Sequence, residues 1–186
     1  MPGRWAAAVL VAAALVAGCG GDDGDGGTGI VLGSANLLDS GIAGALDAWR
    51  DAIGPSISAV DVSIYPDYAI LEARDPEVPR HVDRWHYERD GDLLDPDPVS
   101  LTDDQEAELE LRAFPLDSVS WDRLPDLVDQ AVASTDVEDP TSVYVVVNRD
   151  RPTTEAVRMR IYVSGERSSG WLLADARGNV VEIYDD

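Results

Sequence analysis

His81 and His86, with Asp61, Asp67, Asp83 and Glu88 nearby in the chain, are the side chains whose types could hold a metal or move a proton. A metal needs ligands that converge, and two histidines at an odd spacing along one strand point to opposite faces. Paired carboxylates could perform general acid–base work. In a chain with 36 acidic and 14 basic residues, however, such pairs arise by chance and are ordinarily solvated. No serine sits in a Gly-x-Ser-x-Gly elbow, and neither histidine has an orienting acid beyond neighbours such as Asp83. No phosphate-binding glycine loop opens a helix, and no dinucleotide fingerprint occurs. Asp23-Gly24-Asp25-Gly26 has the start of a calcium loop but no closing Glu at the required distance. The reading is therefore non-enzymatic, with no catalytic residue, metal or cofactor. The alternative is an envelope hydrolase or metal-dependent enzyme built from scattered Asp, His and Arg.

The remaining reactive side chain is Cys19, the one cysteine of the chain. It has no partner for a disulfide, so the fold must be stabilised by packing. Before it, Arg4 precedes an uncharged stretch from Trp5 to Ala17; after it come Gly20-Gly21-Asp22-Asp23 and further glycines and aspartates. Basic start, apolar middle and small-residue boundary are the order of a secretory signal. The apolar part is shorter than the ~20 residues that a spanning helix requires. Leu15-Val16-Ala17-Gly18-Cys19 resembles a bacterial lipobox. That resemblance implies cleavage between Gly18 and Cys19, lipidation of the Cys19 thiol, commonly acylation of the new amino group with a chain such as palmitate, and a place on the outer face of the cytoplasmic membrane. The first expected partner is thus the membrane, through an N-terminal lipid anchor.

Charge sets the other expectations. The net charge of −22 opposes nucleic acid and anionic lipid surfaces, so no nucleic-acid partner is expected. Every basic residue is Arg and none is Lys, while Asp, Ala, Val and Gly are frequent, a bias that looks like a high-GC bacterium such as an actinobacterium. From Gly20 to Gly29 glycine and aspartate make a flexible, self-repelling tether.

Beyond the tether, helix and strand signals come twice. Ile42, Leu46, Trp49 and Ile53 recur on one face of a helix expected over Gly41 to Ile53, capped by Asp39 or Ser40 and stopped by Gly54-Pro55. Strands are expected at Val60–Tyr65, Tyr68–Ala73 and Val82–Arg89, with a short return at Asp92–Leu94 after the Asp90-Gly91 turn. A polar bridge follows, whose Thr102 to Gln105 spacing caps a short helix. The second helix is expected over Trp121 to Ala133, with Ser120 as cap and Pro125 in its first turn. Strands at Ser142–Asn148, Ala156–Ser164, Gly170–Asp175 and Asn179–Tyr184 complete the chain, the last pair turning at Arg177-Gly178. The expected organisation is residues 1–18 leader, 19–29 lipidated cysteine and tether, 30–94 first unit, 95–113 bridge and 114–186 second unit. The fold class is α+β: two tandem units, each one helix packed on an antiparallel sheet.

Tyr87 to Leu94 aligns with Ala174 to Val181 at the same spacing that sets Tyr68-Ala69-Ile70 against Glu155-Ala156-Val157, which points to an internal duplication. This order resembles the tandem units of PepSY-like and beta-lactamase-inhibitor-protein-like domains. The phrases Ile64-Tyr65-Pro66-Asp67-Tyr68-Ala69, Phe114-Pro115-Leu116, Leu124-Pro125-Asp126-Leu127-Val128 and Ile161-Tyr162-Val163-Ser164-Gly165-Glu166-Arg167 look like those of a group of uncharacterised actinobacterial lipoproteins. What the resemblance implies is an exported, non-enzymatic binding or inhibitory module.

The candidate binding surface rests on aromatic and basic residues. Alternation puts Trp85 and Tyr87 on one face of their strand, and Arg84, His86 and Glu88 on the other. Trp85 and Trp171 hold similar places in the two halves, and their ordinary use is to pack under their own helices against Trp49 and Trp121. The sharper expectation is a concave aromatic sheet face, Trp85 and Tyr87 ringed by Arg84, Arg158 and Arg160, that grips a loop or peptide of an envelope or secreted protein. Arg158 and Arg160 also suit an anionic ligand, or pairing with acids across strands.

Overall fold

Alternating apolar residues make strands here, and two amphipathic segments make helices that lie across them. The computed structural model describes residues 36–149 and 155–185. The expectations for the leader, Cys19 and the tether fall outside the described residues. Helices are α1 (Ile42–Ile53), α2 (Asp103–Arg112) and α3 (Leu124–Ser134). Strands are β1 (Ser58–Ile64), β2 (Tyr68–Arg74), β3 (Val82–Glu88), β4 (Asp97–Pro98), β5 (Phe114–Pro115), β6 (Ser142–Arg149), β7 (Val157–Ser164), β8 (Ser169–Asp175) and β9 (Val180–Asp185).

The nine strands form one antiparallel sheet in the order β4-β3-β2-β1-β6-β7-β8-β9, with β5 also on β1. The class is α+β. Each half brings one long helix and a run of antiparallel strands, and the two runs join where β1 pairs β6, with Val62 opposite Val147 and Ile64 opposite Val145. Both halves share one core. Ile42, Ala45, Leu46 and Trp49 of α1 and Leu124, Leu127, Val128 and Ala131 of α3 have the same one-faced spacing. They cover the strand residues Val62, Ile64, Leu71, Val145, Met159, Ile161 and Leu172, all in a single buried cluster. Each such side chain taken fully from water contributes about 1.5–3 kcal/mol.

Local chemistry explains where the ends differ from expectation. The first helix starts earlier, with a π-helical turn at Leu37–Gly41 capped by Asn36, whose side chain accepts from the Leu38 and Asp39 amides. Asp39 and Ser40 therefore lie inside that turn and not at its cap. At the second helix Ser120 gives no side-chain cap bond; a 3-10 turn, Trp121–Arg123, leads into α3, with Pro125 in its first turn. The bridge carries α2, whose Thr102–Gln105 capping box forms with both bonds present. The hairpin glycines Gly91 and Gly178 have positive φ of 104° and 81°, conformations that the turns require. Asp92–Leu94 makes a single bridge, Tyr87 to Leu93, in place of a strand.

Helices α1 and α3 lie on the same side. The other face carries α2 at one corner only, where Leu109 meets Val60 and Val82 and Glu110 pairs with Arg74 at 2.8 Å. Val60 reaches α2 because β1 is irregular there: Ala59 pairs Ala73 and Asp61 pairs Glu72, leaving Val60 as the extra residue.

Candidate binding face

Six neighbouring positions, five on strands and Tyr65 directly after β1, place an aromatic residue in one row across the face that α1 and α3 leave open. The Pro66-Asp67 turn sets Tyr65 beside Tyr68, the Tyr65 amide donating to the Tyr68 carbonyl at 2.9 Å. The register of β1 with β6 carries Tyr65 to Tyr144, β6 with β7 pairs Tyr144 with Tyr162, β7 with β8 pairs Tyr162 with Trp171, and β8 with β9 pairs Trp171 with Tyr184. Ring centroids are 4.6 Å apart for Tyr65–Tyr68, 5.4 Å for Tyr65–Tyr144, 4.7 Å for Tyr144–Tyr162 and 5.5 Å for Trp171–Tyr184. Interplanar angles of 13° to 23° stack these rings on one another. His86 extends the row, 5.0 Å from Tyr68. Since stacked rings cover each other's faces, what the row offers solvent is ring edges and hydroxyls. Burial, with Tyr68 and then Asp61 nearby, raises the Tyr65 pKa; burial, with Tyr162 and Tyr65, does the same for Tyr144. The phenols stay protonated and able to donate.

A polar row runs parallel to the rings. Register aligns Arg84, Glu72, Asp61, Asn148, Arg158 and Asp175 on successive strands. Arg84 pairs with Glu72 at 2.7 Å. Asp61 accepts from Asn148 Nδ2 at 2.9 Å and from Ser63 Oγ at 3.1 Å. Burial nonetheless lifts its pKa above the usual carboxylate value, against those two bonds. Asp175 goes the other way: burial pushes it up, but the Asn179 side chain, the Asn179 and Arg177 amides and nearby Arg158 hold it below its ordinary value. Between the rows, Arg160 sits over the Trp171 ring, 5.6 Å from its centroid.

The sequence-based set is divided between the two sides. Trp85 and Tyr87 face the helices: Tyr87 is buried in the main core and Trp85 is partly buried against it. Arg84, Arg158 and Arg160 share the open face with the tyrosine row. The three arginines therefore do not ring Trp85 and Tyr87; the sheet lies between them. Trp171 also departs from its expected place under a helix, because Leu172 and Ala174 take the inward positions of β8 and turn Trp171 out onto Tyr184. Trp49 is fully buried under α1, and Trp121 donates from Nε1 to the Leu116 carbonyl at 3.0 Å. His81 is exposed just before β3, while His86 is stacked in the row, so the two do not meet. Among the described residues no group of three or more His, Cys, Asp or Glu is placed to hold a metal ion.

The residues that sequence reasoning missed are Tyr65, Tyr68, Tyr144, Tyr162 and Tyr184. Two of them were within reach, since a two-residue turn between Tyr65 and Tyr68 pairs them directly. The others required knowing that β1 pairs β6.

One antiparallel sheet with two helices on one face and an aromatic row on the other defines the class. No family model matches the sequence, and none of the curated proteins compared with it does. The fold is similar to the crystal structure of a putative lipoprotein (CD1622) from Clostridium difficile 630, at a TM-score of 0.56 and 14% identity, covering 82% of this chain and 100% of that one. At that identity the likeness is one of fold. No helix among the described residues is long and apolar enough to cross a membrane.

Proposed function

We propose that this chain is a lipid-anchored, extracytoplasmic binding or inhibitory module without enzymatic activity, held to the outer face of the cytoplasmic membrane by acylated Cys19 and presenting its open sheet face to an envelope or secreted protein. The observation that carries this reading is the row from Tyr68 to Tyr184 on a face that α1 and α3 leave uncovered. Aromatic edges with hydroxyls, beside arginines, are the side chains enriched where proteins bind proteins. The lipobox-like segment at Cys19 and the fold likeness to a putative lipoprotein support the anchoring part. The separation of His81 from His86 supports the non-enzymatic part. A duplication giving two units, residues 30–94 and 114–186, fits the like spacing of the buried positions on α1 and α3.

The anchor is tested by feeding an alkyne-bearing palmitate to cells that make the chain, then fractionating them. Wild type is expected in the membrane with label; Cys19→Ser is expected unlabelled and released, still folded. Label on the Cys19→Ser protein refutes the anchor. Binding is tested by pull-down from native membranes with the full chain as bait, against a Tyr144→Ala, Tyr162→Ala variant. Partners captured equally by both remove the open face from the proposal.

A further inference from the structure

The two edges of the sheet are built differently. At one end β4 is two residues long, contains Pro98 and follows Pro96, a device that blunts an edge because proline offers no amide hydrogen. At the other end β9 is six residues long, lacks proline and is exposed along its whole length. Six large apolar residues are exposed among the described ones, and four of them belong to β9: Val180 (37%), Val181 (52%), Ile183 (39%) and Tyr184 (46%). The irregularity opposite Leu173 and Ala174 distorts the start of β9 and leaves Glu182 to Asp185 in regular register with β8. An unpaired, regular, apolar edge is a template for another strand.

Charge selects the occupant. Within β9 the charged residues are Glu182 and Asp185, both acidic, and the Asp136 amide donates to Asp185 Oδ1, which brings a further carboxylate alongside. Arg177 stands in the preceding turn, Arg123 packs beside Gly178 of that turn and pairs with Asp126, and Arg160 lies over Trp171. A second copy would set like charges together across the new pairing, in a chain of net charge −22. We infer that β9 is a docking edge that accepts, by strand addition, an extended segment of another protein in which apolar residues alternate with Lys or Arg. Its main-chain groups pair with β9; its apolar side chains lie on the face of Val181 and Ile183, and its basic side chains meet Glu182 and the Tyr184 ring on the other face. The pairing would extend the open sheet face one strand beyond Tyr184. This inference deepens the binding-module reading and rests on it.

The test is hydrogen–deuterium exchange of the full chain, alone and with a synthetic ten-residue peptide of alternating Val and Lys, and with its Val and Glu counterpart. Expected are fast exchange of the β9 amides that do not donate to β8 in the free protein, at least tenfold slowing of those amides with the Val–Lys peptide, and none with the Val–Glu peptide. Glu182→Lys should weaken Val–Lys binding by five- to tenfold, and Ile183→Lys by more, with circular dichroism unchanged because both side chains are exposed. Slow exchange of those outward-pointing amides in the free protein overturns the inference, since another segment or a second copy then covers the edge; sedimentation separates those two. Equal protection by both peptides, or protection elsewhere, overturns it also. Palmitate labelling and pull-down through the Tyr144 face do not depend on β9, so their failure is distinct from this one.

Discussion

The hydroxyl of Tyr87 on β3 presses against Gly44 of α1, where a Cβ on Gly44 would stand 2.7 Å from that oxygen. Glycine inside a helix costs about 1 kcal/mol relative to alanine, so its presence needs a local reason. Here the reason is the close approach of a strand residue to the helix backbone. Gly44→Ala is expected to lower stability by about 1–2 kcal/mol in urea unfolding, overpacking outweighing the propensity gain. The ring carbon bearing the hydroxyl would be 3.6 Å from the new Cβ, an ordinary contact. Tyr87→Phe added to Gly44→Ala should therefore restore most of the loss. A pair whose costs simply add would show that the hydroxyl is not the obstacle.

Asp61 gives a pH dependence whose sign can be worked out. Burial raises its folded pKa above the ordinary value. As pH rises through about 3.9, the unfolded chain releases this proton before the folded chain does, so the contribution of Asp61 to stability falls between the ordinary and the raised value and is level above. Asp61→Asn keeps an acceptor for Asn148 and removes the buried charge. Relative to wild type it should gain stability at pH 7 and lose that gain near pH 3, read as urea midpoints. An equal difference at both pH values contradicts the assignment.

Tyr144 has a stacked ring on each side, Tyr65 and Tyr162. Cross-strand pairs contribute roughly 0.2–1 kcal/mol each, so Tyr144→Ala should cost about 1–2 kcal/mol and Tyr144→Phe much less. Equal costs for the two variants would assign the stabilisation to the hydroxyl and not to stacking.

Thr102 caps a helix that buries only Leu109. Thr102→Ala removes a cap worth about 1 kcal/mol. Because α2 holds so little of the core, the loss should appear as faster amide exchange within Asp103–Arg112, with the global unfolding midpoint nearly unmoved. A large global shift would mean that α2 and the sheet unfold together.

The elements were legible where signals are local. Pro125, the Thr102 capping box, the Asp90-Gly91 turn and the one-faced spacing of Leu124, Leu127, Val128 and Ala131 all depend on neighbours within a few residues. The Asn36 cap was hidden because the turn it opens precedes the amphipathic pattern. Alternation put Trp85 and Tyr87 together and apart from Arg84, as observed, but parity alone does not say which face the helices cover. In β8 both faces carry large apolar groups, Leu172 on one and Trp171 and Leu173 on the other, so the outward turn of Trp171 had no sequence signal. The tyrosine row depends on β1 pairing β6, a contact between residues distant in the chain, and no local pattern encodes it.

That same contact has a consequence for biosynthesis. A chain made from its N-terminus completes α1 and β1 to β3 well before β6 exists. During that interval β1 offers its edge from Asp61 to Ile64 to any strand it meets, and Val62 and Ile64 lack the neighbours Val147 and Val145 that later flank them. A product cut short before Ser142 would have β5 on Ser58 and Ala59 but keep the stretch from Asp61 to Ile64 bare, and proteases and chaperones would meet it as an unfinished sheet.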